Sequence, residues 1–203
     1  MGSVVALQRS LFAAGVPAVD GWHALERVAL TQGAWIDVAR GWLRGADTLF
    51  DELVDAVPWR QGRRRMYDRV LDDPRLSHWY ASGAPLPHPV LDDIARALAA
   101  HYGVQFGPVG FNYYRDGSDS VAFHADRELR TIDDTIVAVL TIGARRPFLV
   151  RPRSGGRSLD LSPASGDLLV MGGACQRHHE HGVPKVARAG PRISATWRWA
   201  RRD

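Results

Sequence analysis

Three side chains in the second half of the chain have the types and spacing to hold a metal ion. His124 and Asp126 form a His-x-Asp pair, and His181 follows much later. Residues i and i+2 of a strand point to the same face, so an imidazole and a carboxylate so spaced can converge on one ion. An imidazole from a distant strand then completes two histidines and one carboxylate, a set that leaves positions open and suits non-haem Fe(II). His-x-Asp alone also occurs at solvated strand ends. The cluster Arg177-His178-His179-Glu180-His181 carries three histidines in four residues. His179 shares a face with His181 if this segment is extended, which makes it a ligand, a group behind the ligands or a core residue. A histidine-rich surface loop is the competing reading.

The elements that must position these groups are legible in outline. Asp47 is a candidate N-cap for a helix whose apolar residues Leu49, Phe50, Leu53, Val54 and Val57 recur at spacings of three and four, with Pro58 as its stop. A second helix is expected from Pro89 to His101, with the stripe Leu91, Ile94, Leu98 and a stop at Gly103. The stretch between, from Trp59 to Pro89, is rich in arginine, aromatic residues and turn formers and reads as irregular structure or short strands. From Phe111 the period becomes that of strands: 111–115, 121–125, 136–142, 148–151, 158–161, 168–171 and 193–199, separated by Gly, Pro and Ser clusters. The run Ile136 to Ile142 is β-branched and apolar throughout, as a strand covered on both faces would be. Met1 to Leu43 carries no readable motif, and packing against the sheet is its expected role. Helices first and strands second give an α+β class with a β-sandwich or barrel.

Composition narrows the function classes. The 203 residues, 45% hydrophobic and 24% charged, can bury a core as one domain and exclude a disordered chain. The single cysteine, Cys175, excludes an intramolecular disulfide and a multi-thiolate zinc site. No uncharged apolar stretch is long enough to span a bilayer, and the N-terminus lacks a basic leader. No membrane association and a cytoplasmic location are therefore expected. Of 26 basic residues only Lys185 is lysine, a ratio that a GC-rich coding sequence explains. The position of the charge is not explained that way. Residues 141–203 carry 12 basic and 4 acidic groups, which suggests an anionic partner such as nucleic acid or a small carboxylate or phosphate ligand.

In order along the chain, six pieces resemble the AlkB-type Fe(II)/2-oxoglutarate-dependent dioxygenases. Asn112-Tyr113-Tyr114 before Asp116-Gly117 is similar to the family's Asn-x-Tyr strand and turn. His124-Ala125-Asp126 with Glu128 resembles its His-x-Asp segment. Gly143 to Phe148 is similar to its Gly-x-x-Arg-x-Phe strand pair, and Gly166 to Met171 to the strand before the distal histidine. His181-Gly182-Val183-Pro184 resembles His-x-x-Pro, and Arg192 to Arg198 the Arg-x5-Arg signature. The resemblance covers Trp59 to Trp199. It implies a double-stranded β-helix (jelly-roll) core with N-terminal helices packed outside. One domain then spans 1–203: an N-terminal extension and helix (1–58), a nucleotide-recognition segment and helix (59–110) and the catalytic core (111–199).

The resemblance also implies roles. His124, Asp126 and His181 would hold Fe(II), with 2-oxoglutarate and O2 as cosubstrates. Arg192 would pair with the distal carboxylate of 2-oxoglutarate and Tyr114 would donate to it. Asn112 and Arg198 would lie near the iron-proximal carboxylate, with Arg198 in reach of Asp126. Ser194 stands where the family often has Asn and can still donate one hydrogen bond. His179 stands where an aromatic residue, often Trp, is common. Arginine suits such a site because its fork binds carboxylate bidentately. Arg192 and Arg198 share a strand face about 20 Å apart by strand rise, longer than 2-oxoglutarate, so both reach its ends only if the strand bends or Arg198 reaches back. Surface arginines in a basic tail are the plain alternative for both.

The reaction so implied is oxidative dealkylation of N-alkylated nucleobases of the 1-methyladenine or 3-methylcytosine type, a DNA repair chemistry that releases succinate, CO2 and an aldehyde. Alkylated DNA, with RNA second, is the expected partner and a monomer the expected state. A base inside a duplex cannot reach a buried metal, so it must be flipped out or come from a single strand, which requires an aromatic clamp and a basic rim. Tyr67, Trp79 and Tyr80 are candidates for the clamp and Glu128 for contact with the exocyclic amine. The arginine runs 60–65 and 145–157 are candidates for phosphate. Core aromatics and solvated charge are the alternatives. A same-fold hydroxylase of a protein or small molecule, or a non-enzymatic jelly roll that binds metal or nucleic acid, are the rival functions.

Overall fold

The structure is a computed structural model in which residues 14–66 and 68–201 are described. The chain forms β1 (Ala18–Val19), β2 (Leu25–Ala29), β3 (Ala34–Ala39), β4 (Leu43–Arg44), helix α1 (Ala46–Ala56), β5 (Arg60–Met66), β6 (Arg69–Tyr80), helix α2 (Val90–Tyr102) and β7 (Val109–Tyr114). There follow β8 (Val121–His124), β9 (Thr135–Gly143), β10 (Leu149–Pro152), β11 (Leu159–Asp160), β12 (Leu168–Gly173), the one-turn helix α3 (Cys175–His178), β13 (His179–Val183) and β14 (Arg192–Ala200). An eight-stranded sheet runs β2-β3-β12-β9-β14-β7-β6-β5, and a four-stranded sheet runs β11-β10-β13-β8. Among the described residues the protein is mostly β with three short helices.

Strand β9 explains the layering. Ile136, Ala138, Leu140 and Ile142 pack in one cluster with Leu49, Phe50 and Leu53 of α1 and Leu91, Ile94 and Leu98 of α2. Val137 and Val139 point the other way, into a second cluster with Val150, Val183 and Phe148 of the small sheet and its flanks. Both faces of β9 are covered, which is why its sequence is apolar without alternation. Helices α1 and α2 thus pack against one face of β9, while α3, through Cys175, belongs to the cluster on the other face, where the metal cluster also lies.

Several boundaries differ from the sequence reading. Helix α1 is entered from Gly45 at φ 64°, not capped by Asp47. A Cβ at Gly45 would lie 2.6 Å from the Gly15 carbonyl oxygen, so that close backbone approach selects glycine. Asp47 sits inside the first turn and accepts from the Ser165 hydroxyl at 2.7 Å. Helix α2 begins at Val90 with Pro89 as its cap residue and ends at Gly103, φ 68°.

The N-terminal part supplies strands as well as a helix. β2 and β3 extend the large sheet alongside β12. Their pattern is obscured because Asp37, fully buried on β3, is paired with Arg27 at 2.6 Å and accepts from the Tyr102 hydroxyl at 3.0 Å. A buried carboxylate satisfied by other elements reads as surface in the sequence. The stretch read as irregular structure or short strands holds the β5–β6 hairpin, two strands from Arg60 to Tyr80. The end of β6, from Leu76 to Tyr80, pairs with β7 and joins the hairpin to the sheet.

Candidate metal and cosubstrate site

His124 ends β8 and His181 lies opposite it on β13, as direct cross-strand partners with ring centroids 4.4 Å apart. Asp126 follows in the turn after β8, and one ligand atom from each of the three lies within 4.8 Å of the others. The protonation states suit a divalent cation. Burial and the neighbouring His124 push the pKa of His181 down to about 3, so its ring is neutral at physiological pH. Nδ1 of His124 lies 2.9 Å from the Ala122 carbonyl, an acceptor only, so Nδ1 carries a proton, and Nε2 is the nitrogen turned toward Asp126, 4.0 Å from Oδ1. Burial alone would raise the pKa of Asp126. The hydrogen bond and charge of Arg198 outweigh it and hold the carboxyl below its usual range. Phe148 stacks on His181 at 5.6 Å and closes that side.

Asp126 is fixed from two directions. Its backbone N–H donates to Oε1 of the buried Gln176 at 2.9 Å. Its carboxylate takes Arg198 Nε on Oδ2 at 2.6 Å and Nη2 on Oδ1 at 3.2 Å. Gln176 has no signal in the sequence, because its role depends on α3 facing the metal turn.

The cluster opens into a cavity of about 150 Å³. Alternate residues of three adjacent strands line it: Arg75, Ser77 and Trp79 from β6, Asn112 and Tyr114 from β7, and Ser194, Thr196 and Arg198 from β14. Arg75, not singled out in the sequence, donates from Nε to the Asn112 side-chain oxygen at 2.9 Å. Arg192 is fully buried with its guanidinium carbon 5.7 Å from the Tyr114 ring centroid. Burial pushes its pKa down to about 10, which leaves it cationic at neutral pH. One of its nitrogens donates to Thr141 Oγ1 at 3.1 Å, and Nε and Nη1 have no partner. His179 is buried, with Nε2 3.4 Å from Thr31 Oγ1. It does not belong to the His-Asp-His cluster.

The substrate candidates separate. Trp79 faces the cavity and is 53% exposed. Tyr80, the next residue of β6, faces the helical side and packs edge-on against Phe111. Strand alternation allows only one of this pair into the cavity. Tyr67 lies outside the described residues. Glu128 is exposed in the turn after Asp126.

The 145–157 arginine run is not a uniform phosphate surface. Arg146 is 1% exposed and donates to the backbone carbonyls of Asp116, Asp119 and Pro184. Arg151 pairs with Glu180 at 2.6 Å and lies over the Phe123 ring, and Arg153 reaches the Arg177 carbonyl. Arg145 and Arg157 are exposed, as are Arg60, Arg63 and Arg65 of the hairpin.

The sequence profile of the 2OG-Fe(II) oxygenase superfamily matches residues 75–198, the span from Arg75 of β6 to Arg198 of β14. The chain belongs to this superfamily. It is 32% identical over 195 residues to the Bos taurus protein named alpha-ketoglutarate-dependent dioxygenase alkB homolog 3, an alignment covering 86% of this chain and 66% of the relative. It is 30% identical over 177 residues to the Mus musculus DNA oxidative demethylase ALKBH2, covering 75% and 74%. The chain spans from 55% to 66% of the length of four alkB homolog 3 proteins. A prolyl hydroxylase from Trichoplax adhaerens, solved with a hypoxia inducible factor peptide, has a similar fold at TM-score 0.62 and 10% identity, covering 81% of this chain and 83% of that one.

The residues present fit the metal and cosubstrate of a 2OG-Fe(II) oxygenase. A neutral imidazole, a second imidazole with Nε2 turned toward Asp126 and an ionised carboxylate form a donor set for Fe(II). The two unpartnered nitrogens of Arg192 and the unpartnered Nη1 of Arg198 are buried donors of the kind a dicarboxylate satisfies.

Proposed function

We propose that this 2OG-Fe(II) oxygenase carries out oxidative dealkylation of N-alkylated nucleobases of the 1-methyladenine or 3-methylcytosine type, in DNA or RNA. The observation that carries the reading is Trp79, a large aromatic ring left half exposed on the wall of the metal cavity. A planar base can stack on such a surface, as bases do on aromatic rings in nucleic-acid-binding grooves. The exposed arginines of the β5–β6 hairpin, on the same strand pair, provide cations for phosphate. Relatives named DNA oxidative demethylase support the same substrate class. The protein is proposed to act in the cytoplasm as a monomer.

When bound, Fe(II) with 2-oxoglutarate and O2 supplies the oxidation of the alkyl C–H bond, with succinate and CO2 as coproducts. The chain's own residues do the rest. Arg192 and Tyr114 hold the distal carboxylate of the cosubstrate, and Ser194 lines the same wall. Arg198 holds the Asp126 carboxylate so that Oδ1 faces His124. Phe148, Val137 and Val139 keep water from the cavity floor, and Trp79 presents the base to the metal.

Incubation with oligonucleotides carrying N1-methyladenine or N3-methylcytosine, with O2, Fe(II) and 2-oxoglutarate, tests the reading. Succinate release in step with loss of the methyl mark is expected. Turnover of 2-oxoglutarate with no loss of the mark from any strand would direct attention to a protein or small-molecule substrate instead.

A further inference from the structure

A column of three side chains runs from the metal cluster to the protein surface. At its base is Asp126, buried and bonded through both carboxylate oxygens to Arg198. The two bonds are unequal. Oδ2 takes the short one, 2.6 Å from Nε, while Oδ1 takes the long one, 3.2 Å, and is the oxygen 4.0 Å from His124 Nε2. The Arg198 guanidinium therefore sets which oxygen is turned toward the histidines. Its own central carbon lies over the Trp79 ring, 4.6 Å from the centroid. Trp79, half exposed, is the top of the column.

The seat of Trp79 is built into the next strand. Gly110 is its cross-strand partner on β7. A Cβ there would lie 2.6 Å from Cη2 and 2.7 Å from Cζ2 and Cζ3 of the indole. Gly110 lies inside a strand paired on both sides, a place where glycine is unfavourable. Its φ is not in the left-handed region that would demand glycine. What glycine allows at this position is the flat approach of the ring.

We propose that Trp79 is a positioning residue for the metal ligand Asp126, acting through Arg198. An arginine has many rotamers, and the bidentate pair fixes the guanidinium only relative to a carboxylate that can itself rotate. The indole face supplies a second constraint, and cation–π contact is strongest for Trp and Arg. Gly110 makes room for that constraint. The proposal rests on the metal site and not on the identity of the substrate, so failure of the dealkylation assay leaves it standing.

The test is the affinity of the metal-free protein for Mn(II), measured by calorimetry without 2-oxoglutarate or nucleic acid, with His181→Ala as the blank. Trp79→Leu is expected to weaken Mn(II) binding by about fivefold to tenfold. Trp79→Phe keeps an aromatic face and is expected to stay within about twofold of wild type. Because the ring is half exposed, the thermal midpoint of the metal-free protein should be unchanged in both, which a merely structural role would not predict. Gly110→Ala leaves every cation and aromatic ring in place but lifts the indole outward, and should weaken Mn(II) binding as much as Trp79→Leu. Wild-type affinity in Trp79→Leu or in Gly110→Ala overturns the proposal, and either variant decides it if the other does not fold.

Discussion

Arg192 is the most demanding single residue of the site. A buried guanidinium without a carboxylate beside it is unfavourable, and here it is held by one threonine hydroxyl and the Tyr114 ring. In the proposed function its unpartnered donors would give the cosubstrate a charge-assisted pair, worth about 1.5–3 kcal/mol. Arg192→Met should therefore raise the KM for 2-oxoglutarate by about ten- to a hundredfold, read in a succinate-release assay, while leaving Mn(II) affinity near wild type. Cys175 is the opposite case, a reactive group made inert. Burial pushes its thiol up to about 12 from an ordinary 9.0. The native protein should show no reaction with a thiol-specific disulfide reagent at pH 8 and one equivalent after denaturation. The linked stability follows in sign. The folded thiol stays protonated where the unfolded one ionises, so its contribution is complete below pH 9 and is lost as pH rises from 9 to 12. Cys175→Ala should flatten the decline of stability in that window, measured by urea unfolding.

At the scale of elements, the cavity is a product of alternation. Each lining strand contributes every second residue, so Trp79 enters and Tyr80 does not. The same rule explains how β14 carries both ends of the site: Arg192, Ser194, Thr196 and Arg198 lie on one face, while Ile193, Ala195 and Trp197 lie under the helices. The distance between the two arginines is no obstacle, because Arg198 serves Asp126 at the metal end and Arg192 lies by Tyr114 at the other. The N-terminal strands are tied in by a tight contact. A Cβ on Gly172 of β12 would lie 1.9 Å from Trp35 Cζ2 of β3. Gly172→Ala should destabilise the protein by about 1–3 kcal/mol, seen as a lower thermal midpoint, because the ring must leave its place on β12.

For the whole molecule, the charge skew changes meaning once side chains are placed. Of the basic groups after residue 140, Arg146 and Arg192 are buried. Arg198 is paired with Asp126, Arg151 with Glu180, Arg177 with Asp133 and Arg201 with Asp134. Six of the twelve are therefore buried or paired with a carboxylate, although the Arg177 and Arg201 pairs lie at the surface. The exposed arginines of the hairpin, part of the run at 60–65 that the sequence already shows, are the better candidates for phosphate. Replacing Arg60, Arg65 and Arg69 together by Ala should lower affinity for alkylated oligonucleotides. It should also reduce the slope of log affinity against log salt by roughly 1 per residue, measured by fluorescence anisotropy. The corresponding Arg145 and Arg157 variants test the other run in the same way.

The sequence by itself determined the candidate metal set and the order of the strands that carry it. His124, Asp126 and His181 are specific residue types at fixed spacing, β9 is an almost unbroken apolar run and β14 alternates polar with apolar residues, signals that survive without a partner. What only the tertiary structure decided depends on contacts between distant segments. The hairpin was only half legible because exposed strands carry no apolar period, and β2 and β3 were hidden because Asp37 is neutralised by Arg27. The roles of Gln176, Arg146 and Gly110 exist only where the turn after β8, the turn after β7 and Trp79 come against them. A hydrogen bond or a ring seat is a property of two surfaces, and a linear sequence records each surface without its mate.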